Sequence, residues 1–234
     1  MPNIYKTNVF PFVAIVMTLL LCIPLLGINT PEPKKVQKTT QIAVTTTDID
    51  KDFLDAGLVN VEKLNANFDF DLRYATTNNF TGTKLYTNAR CFLKQKTAQK
   101  LESANNEFLS LGYRIKIYDA YRPLSIQKIL YSIVPSSKKK YIANPLYGSN
   151  HNRGVAVDIT IEHIDGQPVS MPTDFDTFSY KAYISYKGCS KEEIKNREFL
   201  ASVMMRHGFT RINCEWWHFD DTDASKYGLI DLTF

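Results

Sequence analysis

The chain has 234 residues, 44% of them hydrophobic and 22% charged, a balance that supports a packed core and excludes the disordered and collagen-like classes. Its net charge is +4, but Lys6, Lys34, Lys35 and Lys38 against Glu32 carry most of the excess, leaving 24 basic against 23 acidic residues from position 48 onward. Such a domain has no broad positive field, and the one basic run, Lys138 to Lys140, lacks interleaved aromatics, so nucleic acid is excluded as a partner.

The first 28 residues read as a signal peptide or membrane anchor, because Val9 to Ile28 carries no charge and follows Lys6. Either form means export to the periplasm or envelope, and the anchored form is a membrane tether. Cys22 opens a lipoprotein alternative, although Leu19, Leu20 and Leu21 stand where such signals place a small residue. Residues 29–47 are rich in Thr, Lys and Pro without a sustained apolar period, the composition of a flexible tether. Residues 48–234 remain as one domain. Its cysteines, Cys91, Cys189 and Cys214, include no CxxC pair, so no zinc ribbon is encoded and free thiols are expected.

Along the domain, Phe68, Phe70, Leu72 and Tyr74 alternate with Asp69, Asp71 and Arg73, the period of a half-buried strand. Thr97 to Leu111 carries Leu101, Ala104, Phe108 and Leu111 at helical spacing and stops at Gly112, followed by a strand over Tyr113 to Tyr118. Pro123 opens a second helix whose apolar face is Ile126, Ile129, Leu130 and Ile133, and Pro135 closes it. Val155, Val157, Ile159 and Ile161 then alternate with Ala156, Asp158 and Thr160 up to the Asp165-Gly166 turn. Ser190 and Glu193 form a capping-box pattern before a helix ending at Gly208, and Phe209 to Phe219 returns as a strand. Helices and strands without regular βαβ alternation predict a single α+β domain: a central antiparallel sheet flanked by helices.

Two segments concentrate chemistry: SNHNRGVAVD, with His151 and Asp158, and CEWWHF, with Glu215 and His218. His151, Asp158 and His218 can supply the three protein ligands of a catalytic metal that keeps an open position, leaving Glu215 free as a base. Asp158 points away from four core β-branched residues, where an unpaired carboxylate is costly. The plainer alternative is that Asp158 accepts backbone or arginine hydrogen bonds and His151 is a loop residue; spacing alone leaves both open. Glu215 and His218, three apart, share a side only where the strand is distorted. Trp216 and Trp217 read as core or cleft wall, and His163 and His207 as structural or solvated. Arg122, in YDAYRP, is permanently charged and reads as a site residue or a surface one.

SNHNRGVAVD, EWWHF, DAYRP and the earlier DLRYATTNNFTG, in this order, resemble the D-alanyl-D-alanine dipeptidases of the VanX type. These belong to the zinc D,D-peptidase group, which shares its fold with the Hedgehog signalling domain. The resemblance runs from about Asp50 to the C-terminus. It implies a Hedgehog/D,D-peptidase-like fold and one Zn2+ per chain on His151, Asp158 and His218. It also implies Glu215 as general base and acid, and Arg122 as stabiliser of the tetrahedral intermediate. Ser149 and Tyr86 are implied to hold the substrate carboxylate, Asp176 its ammonium, and Tyr74 to line the site. The implied reaction is hydrolysis of the small-molecule substrate D-Ala-D-Ala to two D-alanines. The rival activities are a D,D-carboxypeptidase or endopeptidase acting on peptidoglycan stem peptides, and a zinc-stabilised binding module without turnover. Retention of Glu215 and Arg122, neither needed to hold a structural ion, speaks against the last.

Overall fold

A computed structural model describes residues 48–64 and 67–234. The expected signal or anchor segment and the tether lie outside the described residues. Among those described, no helix is long and apolar enough to cross a membrane. In chain order the elements are α1 (Asp48–Asp55), β1 (Leu58–Asn60), β2 (Asp69–Phe70), β3 (Phe92–Lys94), α2 (Gln95–Ser110), β4 (Tyr113–Asp119), α3 (Leu124–Ile133), β5 (Ala156–His163), α4 (Lys191–Arg206), β6 (Phe209–Arg211) and β7 (His218–Asp221). They form a five-stranded sheet in the order β2-β4-β5-β7-β6 and a two-stranded sheet of β1 and β3. The class is α+β, as the element pattern predicts.

β5 sits in the middle of the large sheet and is buried on both faces. Val157, Ile159 and Ile161 join Ile115 and Ile117 of β4 against Leu101, Ala104 and Phe108 of α2 and Leu200, Val203 and Met204 of α4. The other face carries Asp158, Thr160 and Glu162, all buried as well. Glu162 is neutralised by Arg114 and Lys116, each 2.5 Å away. Asp158 has no lysine beside it; one of its oxygens faces two histidines, and the other stands 3.6 Å from Arg122 Nη2.

The register across this sheet sets up the site. Ile117 pairs with Ile159 on the core face, so an unbroken ladder would turn Asp119, two residues on, toward the core too. A register shift between Ile117 and Asp119 breaks that parity and pairs Asp119 with Asp158. A bulge of this kind re-aims a side chain to the opposite face. On the other side Asp158 pairs with His218, which puts Asp119, Asp158 and His218 in one row across three strands.

Three expectations are corrected. The strand over 68–74 shrinks to Asp69–Phe70, parallel to β4, so the sheet is antiparallel except at this edge. Beyond it the chain turns through a 3-10 helix at Arg73–Ala75, which brings Tyr74 inward. The strand over 209–219 is two strands, β6 and β7, paired as a hairpin across a six-residue turn. α3 buries Gln127 and Leu130, while Ile129 and Ile133 stay exposed. The capping box at α4 forms as read, with both reciprocal Ser190 and Glu193 hydrogen bonds in place.

The tail from Tyr227 onward braces the loop between α3 and β5. Ile230 N donates to Asn152 O at 2.8 Å, Arg153 Nη1 donates to Tyr227 O at 2.6 Å, and Phe234 packs on Phe53, Tyr86 and Tyr121. Gly154 ends the 3-10 turn His151–Arg153 in the left-handed conformation, φ 70° and ψ 31°. A Cβ there would lie 2.4 Å from Leu58 Cδ2. Gly154→Ala should therefore destabilise the protein by at least about 1–2 kcal/mol from the backbone conformation alone, read as a lowered midpoint in urea unfolding. An unchanged midpoint would contradict this view of the loop.

Candidate active site

His151 enters the site on its 3-10 turn, where its backbone carbonyl accepts from Arg122 N at 3.1 Å and its Nδ1 donates to Ala120 O at 2.6 Å. A carbonyl can only accept, so this bond fixes the hydrogen on Nδ1 and leaves the Nε2 lone pair facing inward. His218 is held from the other side, with Nε2 donating to Asp220 Oδ1 at 2.9 Å, which leaves its Nδ1 lone pair facing the same point. The two inward nitrogens are 3.1 Å apart. Asp158 Oδ1 completes the triangle at 3.0 Å from His218 Nδ1 and 3.3 Å from His151 Nε2.

Two inward nitrogens and a carboxylate oxygen at these distances, buried from water, need a positive charge among them: a proton, held on His218 against its burial by Asp158 and Asp220, or a metal ion that takes the proton's place. The histidines and Asp158 satisfy the joint requirement of metal ligands. A tetrahedral ion with bonds of about 2.0–2.1 Å has ligands about 3.3–3.4 Å apart, close to the three edges observed. Orientation of both imidazoles by acceptors outside the triangle is the arrangement that supports such ligands. The donor set therefore fits a divalent metal, which His151, Asp158 and His218 would hold at the cavity wall.

That cavity, of about 350 Å³, is lined among others by Tyr74, Arg122, Ser149, Asp176 and Glu215. Glu215 lies in the irregular turn before β7, and this is why its Oε2 comes within 4.0 Å of His218 Nδ1 although the two are three residues apart. Burial pushes its carboxyl up to about 7, against the pull of the His218 charge. Asp158 shows the reverse: burial opposes its ionisation, but His151 and His218 hold it well below the usual carboxylate range. Asp176 adopts φ 58° and accepts from Tyr74 Oη at 2.9 Å. Burial, reinforced by the Asp158 charge, raises it well above the ordinary value.

Arg122 is almost fully buried and saturated on one side. Its Nε and Nη2 donate to Asp119 Oδ2 at 2.9 and 2.7 Å, and its Nη1 donates to Gln127 Oε1 at 2.9 Å. Three of its five N–H groups are thus committed, and its Cζ stands 5.0 Å from the centroid of the Tyr74 ring. One N–H on each terminal nitrogen remains beside the cavity.

The structure brings His151, Asp158, His218, Glu215, Arg122, Tyr74, Ser149 and Asp176 around one cavity. Tyr86 is the exception and corrects the expectation of a carboxylate-binding residue. It is buried behind the site, where Phe234 covers it and its hydroxyl donates to Asp119 Oδ1 at 2.7 Å; it steadies the carboxylate that holds Arg122. Trp216 and Trp217 are core residues. His163 is exposed and His207 pairs with Glu107 at 2.7 Å, so both are structural or solvated as read. Sequence reasoning assigns no role to Asp119, Gln127 or Asp220. Asp220 is detectable in principle, being two residues from His218 on the same strand face.

The Peptidase_M15 family model, described as D-ala-D-ala dipeptidase, matches residues 54–233. A D-alanyl-D-alanine dipeptidase of Escherichia coli (strain K12) is 31% identical over 173 residues, covering 74% of this chain and 89% of that one. One from Enterococcus faecalis (strain ATCC 700802 / V583) is 29% identical over 185 residues, covering 71% and 92%. Among solved structures, a VanY D,D-pentapeptidase variant in complex with Zn(II) overlaps 60% of this chain and 79% of its own at 17% identity and a TM-score of 0.37, a remote and partial likeness.

Asp220→Ala removes the acceptor that orients His218 while leaving all three ligand side chains in place. Metal affinity should fall roughly 10–100-fold, measured by competition with a chromophoric chelator. Unchanged affinity in a folded variant would contradict the orienting role.

Proposed function

Because the chain belongs to the D-Ala-D-Ala dipeptidase family of M15 peptidases, we propose that it hydrolyses free D-Ala-D-Ala to two D-alanines, using one zinc per chain held by His151, Asp158 and His218. The observation that carries this reading is the buried triangle of two imidazole nitrogens and one carboxylate oxygen, with an unligated carboxylate, Glu215, beside it. When bound, zinc supplies Lewis acidity that brings the pKa of a water toward neutrality and polarises a carbonyl.

The remaining steps belong to the side chains. Glu215 takes a proton from the attacking water as its oxygen bonds to the peptide carbon. The same carboxyl then delivers that proton to the amide nitrogen as the C–N bond breaks. Its raised proton affinity, set by burial, suits a group that must both accept and return a proton near neutral pH. Arg122 offers its two uncommitted N–H groups to the oxygen that gains charge, a contribution worth about 3–4 kcal/mol per donor in comparable sites. Ser149, which lines the cavity just before His151, is assigned to the substrate carboxylate, with its hydroxyl as donor.

The substrate ammonium is assigned to Asp176, which Tyr74 holds toward the cavity. A carboxylate with a raised proton affinity in a buried setting is costly to ionise alone, and an ammonium partner offsets that cost. An acylated amine carries no charge and leaves the site unbalanced. This favours the free dipeptide over the carboxypeptidase or endopeptidase alternative on peptidoglycan stems. The charge-free run Val9 to Ile28 supports export of the enzyme to the periplasm or envelope, with a membrane tether where the segment is retained.

The test compares hydrolysis of D-Ala-D-Ala, its N-acetyl derivative and a stem peptide ending in D-Ala-D-Ala. The free dipeptide should be cut at least about tenfold faster than either, and Asp176→Ala should narrow the gap mainly by slowing the free dipeptide. Equal rates in the unmodified enzyme would refute the dipeptidase reading and favour the carboxypeptidase.

A further inference from the structure

α3 buries a residue that its hydrophobic pattern does not explain. Gln127 has no exposed surface, while Ile129 and Ile133 on the same helix are left in solvent. Burying an amide is costly unless its donors and acceptor find partners, and Gln127 finds two that matter. Its Oε1 accepts from Arg122 Nη1 at 2.9 Å, and its Nε2 donates to Ala143 O at 2.8 Å. The second bond fixes the first: a carbonyl oxygen cannot accept from the amide oxygen, so tying Nε2 to Ala143 leaves Oε1 facing the guanidinium.

We propose that Gln127 is a positioning residue for the reaction, holding Arg122 through a neutral acceptor so that its charge stays directed at the substrate oxygen. The proposal rests on the role assigned to Arg122 above. The neutrality is what selects glutamine. Asp119 already gives the guanidinium two charged hydrogen bonds, and Asp158 Oδ2 stands 3.6 Å from Nη2. A third carboxylate at 127 would draw positive charge away from the side that faces the cavity, and would meet Ala143 O with an acceptor instead of a donor. An apolar residue would leave a buried N–H of Arg122 unpaired. Ala143 and Arg122 line the same cavity, so one amide sets the guanidinium against its wall.

The test measures Gln127→Glu and Gln127→Met, with Arg122→Ala as reference, in the full chain with metal content and thermal midpoint recorded. Both Gln127 variants should lower kcat about tenfold or more with KM changed less than about threefold, since Arg122 stabilises charge that develops only in the transition state. Affinity for a phosphinate analogue of the dipeptide should fall in parallel with kcat/KM. In the Arg122→Ala background the Gln127 substitutions should have no further effect on kcat/KM. If one variant fails to fold, the other carries the comparison. Wild-type kcat in a folded variant, or an undiminished loss when Arg122 is absent, would overturn the proposal. Wild-type kcat in Arg122→Ala itself would instead overturn the role of Arg122.

Discussion

Three buried ligand atoms pointing at one another define this molecule. His151 Nε2, His218 Nδ1 and Asp158 Oδ1 stand 3.0–3.3 Å apart, and each imidazole is anchored by a bond on its far nitrogen that turns its lone pair inward. Such a cluster is unfavourable without a cation and favourable with one. Its persistence therefore depends on everything that keeps the three atoms from relaxing apart.

Much of the fold can be understood as that restraint. β5 carries Asp158 in the centre of the sheet, packed on one face by α2 and α4 and paired on both edges. The bulge in β4 turns Asp119 to the same side, where Tyr86 Oη donates to one of its oxygens and Arg122 to the other. The turn before β7 places Glu215 near His218, and the tail residues Ile230 and Tyr227 hold the loop that carries His151. Positioned groups of this kind act without reorganising during the reaction, the main source of electrostatic advantage in such sites.

The sequence makes the candidate ligands and the proposed base legible because each announces itself locally. Asp158 breaks an alternating β-branched strand, His151 sits just before that strand, and Glu215 and His218 flank two tryptophans. The residues that orient them announce nothing. Asp119 has the parity of a core residue in β4, and only a bulge, which depends on pairing with β5, turns it to the site. Gln127 sits among apolar neighbours whose spacing points to a different buried face; the partner that draws it inward, Arg122, becomes a reason only once the helix has docked. Tyr86 escapes a local reading for the same reason: its neighbours are Asp119 and Phe234, far off in sequence. The strand over 68–74 has the right alternation, but its ladder with β4 spans only Asp69–Phe70, with one further bond from Asp71 N to Ile117 O, before the chain turns.

X-ray absorption at the zinc edge of the metal-loaded protein tests the central claim most directly. A four-coordinate site with two imidazole nitrogens and one carboxylate oxygen at about 2.0–2.1 Å, plus one further light atom, is the predicted result. Sulfur at about 2.3 Å, which would bring in Cys214 from the cavity wall, or a shell lacking either imidazole, would contradict it.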